Sequence, residues 1–92
     1  MTYYDALQKC AVRYIDMQEQ YVDCYENNVP EALALWNFTY EFYTGCKRRF
    51  PLMKLNRWLG YIQGCLIERG YTTVEAERDW TRPLFRTLDY GK

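Results

Sequence analysis

Leu52-Met53-Lys54-Leu55-Asn56-Arg57-Trp58-Leu59-Gly60-Tyr61-Ile62-Gln63-Gly64-Cys65-Leu66 is the stretch that decides the fold of this 92-residue chain. Leu52, Leu55, Leu59, Ile62 and Leu66 recur at intervals of three and four residues, which places them on one face of an α-helix and makes them a core stripe. Pro51 suits the first turn of that helix, where a missing N–H is harmless, and Gly70 suits its end. The chain holds only five glycines and three prolines, too few for a loop-rich β-barrel and enough to punctuate a few long helices.

Upstream, Thr2 and Asp5 have the spacing of a capping box, and a helical pattern runs from them to Asn27-Asn28. Its apolar side carries Tyr3, Tyr4, Leu7, Cys10, Ala11, Tyr14, Ile15, Met17, Tyr21, Val22, Cys24 and Tyr25; Asp5, Asp16, Glu19, Asp23 and Glu26 share the other side. Gln18 falls in the apolar sector, so its amide is expected to bond across to another helix, because an unpaired buried amide costs about 1–3 kcal/mol. Asn28 and Glu31 around Pro30 open a second helix, which Gly45 is expected to stop. Its polar residues Asn37, Glu41 and Thr44 form a narrow strip, so this helix should be covered on nearly all sides. Trp36, Phe38, Tyr40 and Phe42 are accordingly read as core. Thr72-Thr73-Val74-Glu75 starts a fourth, short helix ending near Trp80 or Arg82, with Pro83 terminating it and Leu84, Phe85, Leu88 and Tyr90 packing behind it. The expectation is a single all-α domain over residues 1–92, a bundle of three long helices plus a short C-terminal fourth.

Composition narrows the chemistry. With 49% hydrophobic and 18% aromatic residues the chain folds. It contains no histidine and no serine, which excludes a Ser-His-Asp triad, a Cys-His pair and histidine metal sites. Cys10, Cys24, Cys46 and Cys65 include no C-x-x-C pair, so no metal and no cofactor are expected, and buried reduced thiols in a cytoplasmic protein are the simplest reading. Glu75, Glu77 and Asp79 alternate along their helix and point apart, leaving no acid–base pair; the chain is read as a non-enzyme. The N-terminus has no basic and apolar signal pattern, and no run is long enough to span a membrane.

Net charge is zero, yet it is segregated. Residues 1–46 carry 2 basic and 7 acidic side chains, and residues 47–92 carry 10 basic and 5 acidic. Such a dipole can be satisfied inside the fold, between copies or by separate partners.

Two surfaces stand out. Gly60 and Gly64 lie off the leucine stripe, on the side of Arg57 and Tyr61, and each costs about 1 kcal/mol in a helix, so this helix has a second contact face. Arg57, Trp58, Gly60, Tyr61, Gln63 and Gly64 are the candidate protein-binding residues. Lys47, Arg48, Arg49, Lys54 and Arg57, interleaved with Phe50, Trp58 and Tyr61, form the alternative, a track for a phosphate backbone with aromatics for stacking.

The segments Asn56-Arg57-Trp58-Leu59-Gly60-Tyr61-Ile62-Gln63-Gly64, Gly70-Tyr71-Thr72-Thr73-Val74-Glu75 and Thr81-Arg82-Pro83-Leu84-Phe85-Arg86 resemble small bacteriophage-encoded accessory proteins of uncharacterised function. The resemblance implies a protein that binds a host bacterial protein, as a non-enzymatic inhibitor of a defence system or host factor, and that acts in the cytoplasm of the host cell. Self-association into a homo-oligomer is expected through the second helix or the glycine face of the third. The alternatives are a nucleic-acid-binding accessory protein and a structural or assembly component of a virion.

Overall fold

In a computed structural model of the chain the residues described are 2–24 and 30–90, with side chains described for 2–19, 33–86 and 88. Four helices follow one another: α1 (Tyr3–Cys24), α2 (Pro30–Lys47), α3 (Leu52–Glu68) and α4 (Val74–Tyr90). The expected turn at Asn27-Asn28, the Asn28–Glu31 signature and the side chains of Tyr21, Val22, Cys24 and Tyr25 lie outside the described residues.

The helix ends show why the chain breaks where it does. Asp5 N–H donates to Thr2 Oγ1 at 3.1 Å and Thr2 N–H to Asp5 Oδ2 at 2.9 Å, the reciprocal bonds of a capping box. Thr73, not Thr72, caps α4, its Oγ1 accepting from Ala76 N–H at 3.1 Å. Gly70 ends α3 as expected: with φ of 81° it lets Tyr71 N–H reach Leu66 O at 2.9 Å and its own N–H reach Ile67 O at 3.1 Å. The end of α2 differs from expectation. Gly45 lies within the helix, and Arg49 adopts the left-handed turn at φ of 58°, with Phe50 N–H donating to Gly45 O at 2.9 Å. Position 45 is glycine for space: a Cβ there would stand 2.9 Å from Phe50 Cδ2 and 3.1 Å from Leu55 Cδ2.

The fourth helix is longer than its proline suggested. It runs 17 residues, the same length as α3, with Pro83 inside it. Proline removes one backbone donor, but Trp80, Leu84 and Phe85 pack on the core from both sides of it, and Phe85 lies 5.1 Å from the ring of Tyr3. Packing outweighs the proline penalty of about 3 kcal/mol.

α1 lies against all three other helices. Its Leu7, Cys10, Ala11 and Tyr14 meet Leu35, Phe42 and Cys46 of α2 and Leu55, Ile62 and Leu66 of α3 in one buried cluster. Gln18, as expected, is buried and bonded across the bundle, donating to Thr39 Oγ1 at 2.8 Å and to Tyr14 O at 3.1 Å. The molecule measures 47 × 29 × 18 Å. Among the described residues, α2 is not enclosed on all sides. The chain therefore does not supply the cover expected for α2: Phe42 is fully buried, whereas Tyr40 is 41% exposed and Trp36 and Phe38 are half-buried. Among the described residues no helix is long and apolar enough to cross a membrane.

Candidate interaction surface

α2 and α3 diverge enough to leave a groove of about 560 Å³ lined by Ala34, Leu35, Phe38, Trp58, Tyr61 and Arg69. Its walls are a ladder of rings. Phe38 packs against Trp58 with centroids 5.1 Å apart and against Tyr61 at 5.4 Å, and Trp58 meets Phe50 at 6.1 Å. Tilted and edge-to-face arrangements of this kind are the favoured packing of aromatic rings, and Tyr61 keeps one side bare. Trp58 also walls a smaller cavity of about 300 Å³ beyond it, which Tyr40, Arg48 and Phe50 help to line. Lys54 stands 5.1 Å over both Phe50 and Trp58, and Tyr61 is 59% exposed.

The structure sorts the residues singled out from the sequence. Trp58 and Tyr61 form the groove. Arg57, Gly60 and Gly64 lie on the exposed outer face of α3, and a Cβ built on either glycine would find nothing within 4 Å. Gln63 does not join them: it turns inward, and its Nε2 donates to Tyr14 Oη at 2.8 Å. Two residues apart on a helix means about 200° around it, so Tyr61 and Gln63 face opposite ways. Asn56 faces Gln63's way, accepting from Tyr3 Oη at 3.4 Å.

The basic segment is scattered rather than aligned. Lys47 stands 5.2 Å over Tyr43, and Arg49 turns back over Tyr4 at 5.3 Å, while Lys54 and Arg48 edge the aromatic cavities. The bend at Arg49 points neighbouring side chains to different sides, which linear spacing could not reveal.

Glu77 is the polar centre that the sequence reading missed. Although only 4% exposed, it accepts from Arg13 Nη2 at 2.9 Å and Nε at 3.3 Å, from Tyr14 Oη at 2.6 Å and from Thr72 Oγ1 at 2.6 Å. Burial pushes its carboxyl up, but the hydrogen bonds from Arg13, Thr72 and Tyr14 outweigh that and hold it below its ordinary value. Tyr14 is pushed well up by burial and by its bond to Glu77. Glu77 stays ionised and Tyr14 protonated near neutrality, the state of a satisfied structural network. A local signal existed: Glu77 shares the α4 stripe of Trp80, Leu84 and Leu88, an acid among apolar neighbours.

Burial raises the thiols of Cys10 and Cys46 to about 12, which leaves them as weak nucleophiles. Among the described residues no group of three His, Cys, Asp or Glu could hold a metal ion. Compared with family profiles, with characterised proteins and with solved structures, the chain shows no significant match to any.

Proposed function

We propose that the protein is a non-enzymatic binding protein that docks another protein through the α2–α3 groove and the adjoining face of α3. In the phage-type reading its partner is a host bacterial protein, met in the cytoplasm, and docking inhibits a defence system or host factor. The observation that carries the proposal is the half-open ladder of Phe38, Trp58 and Tyr61 with cationic side chains at its margins. Tyr, Trp and Arg dominate binding hot spots because they bury large rigid area and keep a polar handle. Capture from bacterial lysate tests it: Trp58→Ala and Tyr61→Ala should each lose the proteins that the wild type recovers, with the helical spectrum unchanged. Recovery of the same proteins by both variants overturns the proposal.

A nucleic-acid reading draws on Lys54 between two rings and on Arg48 close by. It requires binding to DNA or RNA that falls steeply with added salt; no retention at low salt removes it. A virion-component reading requires large assemblies that persist at high salt.

A further inference from the structure

Among the described residues, α1 and α3 each turn one stripe outward that no other helix covers. On α1 it is Asp5, Lys9, Val12, Asp16 and Glu19, all exposed, with Val12 45% exposed among charges. On α3 it is Lys54, Arg57, Tyr61, Gly64 and Glu68. Run antiparallel with Val12 opposite Tyr61, the two stripes oppose unlike charges at Asp16–Arg57 and Glu19–Lys54 and like charges at Asp5–Glu68. From Val12, Asp16 lies four residues on and Glu19 seven; from Tyr61, Arg57 lies four residues back and Lys54 seven. At about 1.5 Å of rise per residue the paired charges fall at matching heights. Lys9 then lies over Gly64 within reach of Glu68, and so offsets the like pair that Asp5 and Glu68 make at that end.

Within one subunit these stripes cannot meet. α1 turns its other side, Leu7, Cys10, Ala11 and Tyr14, to the core, and α3 faces α1 through Asn56 and Gln63 rather than through Tyr61. Arg13 and Glu77, which do pair inside the subunit, are minority charges of their halves, so that pair leaves the segregated majority in place. The glycines supply a second, independent argument. Gly60 and Gly64 each weaken α3, yet among the described residues no other helix comes within 4 Å of a Cβ built on either. Glycine in a helix lets another helix approach closely, a property useful here only to a neighbouring molecule.

We infer that the exposed stripe of α1 docks antiparallel on the outer face of α3 in a second copy of this chain, Val12 against Tyr61, Asp16 against Arg57 and Glu19 against Lys54. The two stripes face different ways, so the contact is heterologous and propagates head to tail instead of closing as a two-fold dimer. It rests on reading this face of α3 as an interaction surface, and names its occupant. A contact of one helix on one helix is smaller than a standard interface, so the association is weak and concentration-dependent.

Sedimentation velocity tests it with variants at exposed or half-buried positions. At low ionic strength the wild type should grow past a dimer as concentration rises, and salt of about 1 M should return it to monomer by shortening the screening length to about 3 Å. Asp16→Lys with Glu19→Lys, and separately Lys54→Glu with Arg57→Glu, should each remain monomeric at all concentrations. An equimolar mixture of the two should regain concentration-dependent growth, since the intact stripes pair as in the wild type and the two reversed stripes are again opposite in sign to each other. Gly64→Leu should keep its fold and lose self-association. A wild type that stays monomeric at about 1 mM, well above what a weak interface requires, overturns the inference. So does a mixture that stays monomeric, or a wild type that stops at two. Trp58→Ala lies off both stripes, so lysate capture with it judges the groove separately: loss of capture beside a monomeric wild type would sink self-docking alone, and retained capture beside a self-associating wild type would sink the docking reading alone.

Discussion

Arg13 grips Glu77 with two nitrogens, Nη2 to Oε2 at 2.9 Å and Nε to Oε1 at 3.3 Å, across 64 positions of sequence. The pair joins a base from the acidic half of the chain to an acid from the basic half, and through them α1 to α4. Tyr14 and Thr72 complete the carboxylate's shell, and Gln63 ties Tyr14 to α3. Placing α4 here satisfies all of these groups together, so the network sets the position of a helix that packs mainly on α1.

Glu77→Gln should destabilise the fold by about 2–4 kcal/mol, because it leaves the guanidinium without its counter-charge and misplaces a donor against Tyr14 or Thr72. Urea unfolding followed by far-UV circular dichroism measures this. A loss below about 1 kcal/mol would mean that α4 is held by its apolar contacts alone.

The same carboxylate makes stability depend on pH. Its folded pKa lies below the ordinary 4.5, so the unfolded chain binds the proton more tightly. The contribution of Glu77 is present above about 4.5 and is lost as pH falls through the folded value. Melting temperature plotted against pH should therefore fall less steeply below 4.5 for Glu77→Gln than for the wild type.

Three glycine-to-alanine changes should differ in sign. Gly45→Ala should cost about 1–2 kcal/mol despite the better helix propensity of alanine, since its methyl meets the Phe50 ring and Leu55. Gly60→Ala and Gly64→Ala should each stabilise by about 0.5–1 kcal/mol, there being open space around both. Thermal melts of the three variants check this, and stabilisation by Gly45→Ala would contradict the packing at that position.

Cys10 and Cys46 should resist a thiol reagent in the native protein and react only on unfolding. Burial hides their sulfurs and raises their pKa to about 12, which leaves almost no thiolate near neutral pH. Mass mapping of modified cysteines at about pH 8 reads the result, a pH near the ordinary thiol pKa. Fast native labelling of either would contradict its burial.

Much of this molecule was legible along the chain. The α3 stripe at Leu55, Leu59, Ile62 and Leu66, the capping box at Thr2 and Asp5, the stop at Gly70 and the buried amide of Gln18 follow from helical period and from bonds spanning a few residues, whereas Leu52, expected in the same stripe, sits at the helix start and is exposed. Such features are local, and local rules suffice to read them. Gly45 misled because glycine serves two purposes, turning a chain and making room, and only the position of Phe50 tells which. Pro83 misled because its penalty is local whereas the apolar contacts that outweigh it come from elsewhere in the fold.

The sequence by itself determined four helices, with the start of α1 and both ends of α3, a charge-segregated chain, and the residue types of the α3 face. Tertiary structure decided which acid meets Arg13, that Gln63 turns to Tyr14 while Tyr61 turns outward, and that Tyr40 stays uncovered. The physical reason is distance along the chain. Periodicity and capping act over a turn or two of helix, whereas the partner of a buried charge, or the bareness of a face, depends on segments more than 40 residues away in sequence, whose arrival no local preference encodes.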